Sequence, residues 1–243
     1  TPGAVGADLA NIINEAALRA VKNHRFQVNQ GDLEEAVEVI IAGKEKKDRI
    51  LSPEEKQQVA FHEVGHALVA ALLKHTDPVH KITIVPRTMG SLGYTMQLPE
   101  EEKYLNTKAE MLDQICVMLG GRSAEEVKFN SISTGAANDI ERATQAARRM
   151  VTIYGMTDRF DMMGLESMQN RYLDGRPAQN CSAETASIID EETLKIIRMC
   201  HKKARALLKD NIELLIIISK RLIEKETLMG DEFMGIIRTY RDK

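Results

Sequence analysis

The sequence contains no tryptophan, and aromatic residues make up only 4% of it. That composition argues against a platform of rings on which bases or sugars stack. Its three cysteines, Cys116, Cys181 and Cys200, show no CxxC spacing. An odd, scattered set provides neither a disulfide framework nor a cysteine zinc site. Cys116 and Cys200 fall in helical apolar patterns, which predicts buried free thiols in a reducing compartment, and no nucleophilic role is expected of them. The longest apolar run, residues 67–73, falls far short of the roughly 20 residues a membrane helix needs. The net charge of -3, from 33 basic and 36 acidic residues, leaves no basic surplus for nucleic acid. No GxxxxGK[ST] phosphate loop is present, nor a strand ending in paired acids for magnesium, so this chain is not expected to bind or hydrolyse ATP by itself.

The remainder has the balance of a soluble globular protein, with 43% hydrophobic and 28% charged residues. Its 243 residues allow one large domain, or a domain with a fragment of another. Most of the chain has the period of helices. Leu9, Ile12, Ile13, Ala16, Ala17 and Ala20 mark a first amphipathic helix. A second is predicted from Asp32, as N-cap, to residue 42, closed by Gly43. The polar run "GKEKKDRILSPEEK" reads as a surface linker, with a boundary near residue 44.

Ser52 as N-cap, Pro53 and Glu55 then open a helix expected to reach residue 74. "HKITIV" and "GYTMQL" read as two short strands joined by a loop. A helix capped by Thr107 is interrupted at Gly120-Gly121, and the short turn "RSAEEV" follows. Another helix spans residues 136–154, with Ile140, Ala143, Ala147, Met150 and Val151 on one face. Residues 155–181 have no clear period and read as a long loop. The last three helices are predicted to start at Ser182, at a cap on Asp210, and near Asp231.

The chemistry is concentrated in "VAFHEVGHALVAA". His62 and His66 are four apart and share a helical face, from which two neutral imidazoles can reach one zinc ion. Glu63 lies one residue round the helix, beside such an ion rather than on it, where it can take a proton from water. Without a metal, two histidines and a glutamate in so apolar a helix would be costly to bury. A catalytic zinc also needs a third protein ligand and an open position. Val69 and Leu72 stand where a metzincin would continue with glycine and histidine. Strands occupy the stretch where a thermolysin-like glutamate would lie. Two carboxylate candidates remain: Glu125 or Glu126 in "GGRSAEE", and Asp139 in "STGAANDIERAT". Spacing favours Asp139 modestly, because small residues precede it at the start of its helix, while a polar turn suits a supporting role for the glutamates.

"TPGAVGADLANIINEAALRA", "FHEVGHALVA", "DPVHKITIVPR", "LGYTMQLPEEEKYL", "LGGRSAEE", "STGAANDIERAT" and "DNIELL" occur in this order along nearly the whole chain. In these the sequence resembles the FtsH family of ATP-dependent zinc metalloproteases. The resemblance implies a mainly α fold: a helical zinc peptidase domain, residues 44–243, with a small β-sheet near the active site. It also implies that residues 1–43 are the C-terminal helical part of an AAA ATPase module. Carried over, the zinc ligands are His62, His66 and Asp139, with Glu63 as the catalytic glutamate and Glu125 as a supporting residue. Family members are membrane-anchored hexamers that use ATP and Mg2+. The implied full-length protein is therefore a homo-hexamer anchored in a cell or organelle membrane. Its implied substrates are unfolded proteins or peptides, without nucleic acid, and this chain itself is expected to be soluble. An extended substrate is expected to pair with an edge offered by "HKITIV" and "GYTMQL". An assembly module with a structural zinc is the alternative, disfavoured because structural zinc usually has four protein ligands.

Overall fold

The structure, a computed structural model, describes residues 5–46, 51–88, 92–99, 103, 105–168, 177–179 and 181–242. It is mainly helical. The first elements are α1 (Gly6–Lys22), α2 (Gln30–Ala42) and α3 (Pro53–Leu72), followed by strands β1 (Val79–Thr83) and β2 (Tyr94–Gln97). Then come α4 (Lys108–Met118), α5 (Gly120–Phe129), a 3-10 turn (Thr134–Ala136) and α6 (Ala137–Thr152). A small hairpin, β3 (Glu166–Met168) and β4 (Pro177–Gln179), precedes α7 (Ala183–Asp210), α8 (Ile212–Lys225), β5 (Thr227–Met229) and α9 (Gly230–Arg241). No helix among the described residues is long and apolar enough to cross a membrane. The chain divides into two compact units.

One unit comprises Thr1–Glu63, Asp77–Lys103 and Ile217–Lys243. In it α1 and α2 pack through Ile12, Ala16 and Ala36, flanked by Leu33, Val37 and Ile40. The cap of α2 is Asn29 rather than Asp32. Asn29 Oδ1 accepts from the Asp32 amide, and Asp32 accepts in return from the Asn29 amide, both at 3.0 Å. Asp32 is thus the third helical residue of a reciprocal box. The stretch expected as linker starts in a pairing: the amides of Thr88 and Lys46 donate to the carbonyls of Lys44 and Pro86 at 2.8 and 2.9 Å. Its residues 47–50 lie outside the described residues.

β1 and β2 form the expected antiparallel pair, with Ile82 opposite Thr95. A third strand, β5, is one that the sequence pattern did not predict; it pairs with β1, Ile82 opposite Leu228. The order is β2-β1-β5, so β1 is the central strand and offers no edge. Glu38 of α2 is tied to this sheet. It accepts from Lys81 of β1, from Arg87 Nη2 at 2.7 Å and from the Tyr94 hydroxyl at 2.7 Å. Burial would raise the Glu38 carboxyl, but Lys81, Tyr94 and Arg87 together hold it below the usual carboxylate range. Burial and the Glu38 carboxylate push the Tyr94 phenol the other way, upward.

The second unit comprises Val64–Thr76 and Tyr104–Ile216. α7 packs against α4, α5 and α6. Ile115, Ala143, Ala147, Met150, Val151, Ile189 and Cys200 fill the core between them. Cys116 and Cys200 are buried free thiols. Ile140, expected on the buried face of α6, is instead 40% exposed. α7 runs through Asp210, and Asn211 ends it, so Asp210 closes one helix rather than capping the next. The predicted loop holds the β3–β4 hairpin, hung from the end of α6. Glu166 accepts from Arg148 Nε and from the Thr152 hydroxyl, both at 3.0 Å.

Candidate metal centre

α3 begins as its sequence dictates. Ser52 Oγ accepts from the Glu55 amide at 3.1 Å, and Glu55 accepts from the Ser52 amide at 2.9 Å. Its ten residues 61–70 are all buried. Three of them are titratable: His62, Glu63 and His66 are each less than a tenth exposed. A helix rise of about 1.5 Å per residue stacks the two imidazoles one turn apart.

The His66 ring is oriented by its neighbour helix. Its Nδ1 lies 2.7 Å from the Val117 carbonyl oxygen at the end of α4. A carbonyl only accepts, so Nδ1 carries a proton, and in the neutral ring Nε2 is the nitrogen with the lone pair. Val117 can stand so close because α3 and α5 meet backbone to backbone. A Cβ on Gly65 would lie 2.6 Å from both the Gly120 oxygen and the Ala124 methyl. One on Gly120 would lie 2.8 Å from the Gly65 oxygen. Glycine inside a helix costs about 1 kcal/mol relative to alanine. Here it permits the close approach that brings His66 to Val117.

Asp139 is in the first turn of α6. Its Oδ2 lies 3.4 Å from His66 Nε2. A hydrogen bond between these atoms would be nearer 2.9 Å. Two ligands bonded at about 2.0–2.1 Å to one tetrahedral zinc ion are about 3.3–3.4 Å apart. The pair therefore has the separation of two ligands of one ion. His62, one turn earlier on the same helix, completes the set: each of the three residues offers one ligand atom, all within 4.8 Å of one another. Two imidazole nitrogens and one carboxylate oxygen suit zinc and leave a fourth position for water.

The two glutamates left open by spacing are occupied differently. Glu125 is almost fully buried, and it accepts from the Ser133 amide at 2.8 Å and the Ser133 hydroxyl at 3.0 Å. Arg122 Nη1 donates to the Ser133 carbonyl at 2.9 Å. Ser133 Oγ in turn accepts from the Gly135 amide, capping the 3-10 turn that leads into α6. Glu125 thus grips the residue that aims the start of α6, and Asp139 with it. Glu126 faces Arg122 and His201 instead.

Glu63 is held from the sheet. Thr95 Oγ1 on β2 lies 3.0 Å from Glu63 Oε2 and 2.9 Å from the Glu63 carbonyl oxygen. Reading the sequence did not single out Gly65, Ser133 or Thr95. A glycine within a strong helical pattern was the available sign for Gly65, and Ser-Thr-Gly before a helix was the sign for Ser133. Nothing in "GYTMQL" marks Thr95, because its partner is remote in sequence.

Peptidase family M41 matches residues 49–236, and the AAA+ lid domain matches residues 1–35. The chain is 73% identical over 237 residues to an ATP-dependent zinc metalloprotease FtsH of Clostridium perfringens, which covers 98% of this chain and 33% of the relative. It is 52% identical over 238 residues to an ATP-dependent zinc metalloprotease FtsH of Lancefieldella parvula, with 98% and 37% covered. With an ATP-dependent zinc metalloprotease FtsH 1 of a Thermoanaerobacter species the identity is 51% over 236 residues, with 96% and 38% covered. The chain thus spans only 33–38% of the length of these relatives. A match that runs from before the helix of His62 to within α9, over far more than half of the sequence, places the chain plainly: it belongs to peptidase family M41.

Proposed function

We propose that this chain is the proteolytic part of an ATP-dependent zinc metalloprotease and hydrolyses peptide bonds at the His62, Glu63, His66 and Asp139 cluster. The observation that carries the reading is the 3.4 Å separation of His66 Nε2 and Asp139 Oδ2, one turn along the helix from His62. In this reading His62, His66 and Asp139 hold one zinc ion per chain. The ion, when bound, supplies Lewis acidity that makes a water lose its proton near neutral pH and polarises the substrate carbonyl. The protein's own residues move the proton. A Glu63 carboxylate oxygen takes it from the attacking water and later delivers it to the leaving amine nitrogen. Burial of the helix around Glu63 keeps bulk water from competing for that proton. Ser133, gripped by Glu125 and Arg122, keeps Asp139 in place.

The substrate in this reading lies extended. β2 pairs only with β1 among the described residues, which leaves its other edge for a peptide backbone. Such pairing reads main chain more than side chain and suits broad specificity for unfolded proteins. Residues 1–43 are the end of an ATPase module and residues 44–243 the peptidase. The full-length protein would supply ATP and Mg2+ chemistry, the membrane anchor and the homo-hexameric ring, and would act on unfolded or membrane proteins. Cleavage of casein by the purified chain tests the core of the proposal. Cleavage should stop on removal of metal with a chelator and return when zinc is added. Cleavage that persists in protein shown to be metal-free would contradict it.

A further inference from the structure

β2 meets the helix of the proposed general base at two points. Thr95 Oγ1 is within hydrogen-bond distance of both the carbonyl oxygen and the Oε2 of the same residue, Glu63. Two residues earlier, just before β2, stands Gly93. A Cβ there would lie 3.0 Å from Glu63 Cγ, 2.9 Å from Val59 Cγ1 and 2.7 Å from the Thr83 oxygen. The stem of Glu63 therefore fills the space that a side chain at 93 would take, and its carboxylate ends at the Thr95 hydroxyl. Tyr94, between them, points away and donates to Glu38 at 2.7 Å. The strand is thus anchored on one side to α2 and applied to Glu63 on the other.

From this geometry we infer that Thr95 is a positioning residue for Glu63: its hydroxyl holds the carboxylate at the angle from which it takes a proton, and Gly93 leaves the space for the Glu63 stem. The inference rests on the general-base reading of Glu63 given above. A glutamate side chain has three rotatable torsions, and fixing them costs conformational entropy. A bridging hydroxyl fixed to the carbonyl of the same residue offsets that cost in the free enzyme, before substrate arrives. Threonine suits the task because its β-branch restricts χ1, so the hydroxyl itself is held still. A hydroxyl has one proton and can donate to one of the two oxygens at a time. In the ionised state of Glu63 the carboxylate, as the stronger acceptor, takes it.

Thr95→Val keeps the β-branch and removes the hydroxyl; Thr95→Ser keeps the hydroxyl. Thr95→Val should lower kcat on casein or a short peptide about 10–100-fold, the usual range for a partner that orients a site residue, with KM changed less than about twofold. Thr95→Ser should recover most of kcat. Zinc content should stay at the wild-type value in both. In crystals of the metal-free proteins, the Glu63 carboxylate should be displaced in Thr95→Val and in its wild-type place in Thr95→Ser. Should the valine variant not fold, Thr95→Ala carries the same expectations. A wild-type kcat in Thr95→Val, a loss in Thr95→Ser as deep as in Thr95→Val, loss of zinc with the hydroxyl, or an unmoved Glu63 carboxylate would each overturn the inference. Glu63→Gln, assayed alongside, separates the two levels. If that variant is inactive while Thr95→Val has full kcat, only the role of Thr95 falls. If Glu63→Gln itself cleaves normally, the role of Glu63 falls and that of Thr95 with it.

Discussion

Glu63→Gln is expected to lose cleavage of casein by a factor of about 10²–10⁴ while keeping one zinc per chain, because a general base contributes about that much. Glutamine has the size of glutamate and retains an oxygen for the Thr95 hydroxyl, so the helix and its neighbours need not adjust. It cannot take a proton at neutral pH. His62 and His66 are untouched, and the Val117 carbonyl still fixes the His66 ring. Initial rates on casein, with metal analysis of the same preparation, decide the matter. A variant that cleaves at the wild-type rate would show that some other group moves the proton. A variant that loses its zinc would show that Glu63 belongs to the metal site itself.

Asp139→Asn is expected to have the second largest effect: loss of zinc and of activity together. Changing a residue that merely supports a ligand costs about 10–100-fold in affinity, and removing the anionic ligand itself should cost more. Glu125→Gln provides the contrast. Glu125 is bonded to Ser133, and in the proposed reading it supports the site without being a ligand, so its variant should weaken zinc within that 10–100-fold range and retain it at saturating metal. Equilibrium dialysis against graded zinc distinguishes the two. Full zinc retention in Asp139→Asn, with loss in Glu125→Gln, would exchange their roles.

Local sequence carried much of this fold, in the places where a few neighbouring residues determine the result. Ser52, Pro53 and Glu55 started α3, and Thr107 with Glu110 started α4, because capping is decided within four residues. The two histidines four apart needed only the helical period. What local pattern could not supply came from remote partners. The strand Thr227–Met229 is three residues long and is a strand only because β1 lies beside it. That single pairing turned β1 from an edge into a centre and left β2 as the strand next to Glu63. Asn29 competed with Asp32 for the cap of α2, and the Arg25 guanidinium, bonded at 2.6 Å, joined Asp32 inside the first turn. Ile140 followed the period of α6 yet remained exposed, since period marks a face and not what covers it. Spacing alone left Asp139 and Glu125 nearly even. Family resemblance favoured Asp139, and the grip of Glu125 on Ser133 explains in physical terms why the two carboxylates differ.

The central claim is that one zinc ion sits among His62, His66 and Asp139. Anomalous diffraction collected on either side of the zinc absorption edge, from crystals of the zinc-loaded chain, tests it most directly. The account predicts a single strong zinc peak at about 2.0–2.2 Å from one nitrogen each of His62 and His66 and from a carboxylate oxygen of Asp139, with Glu63 beside the ion and not bonded to it. A peak bonded to Glu125 or Glu63 in place of Asp139, or no peak at these histidines in crystals whose protein retains zinc, would contradict it.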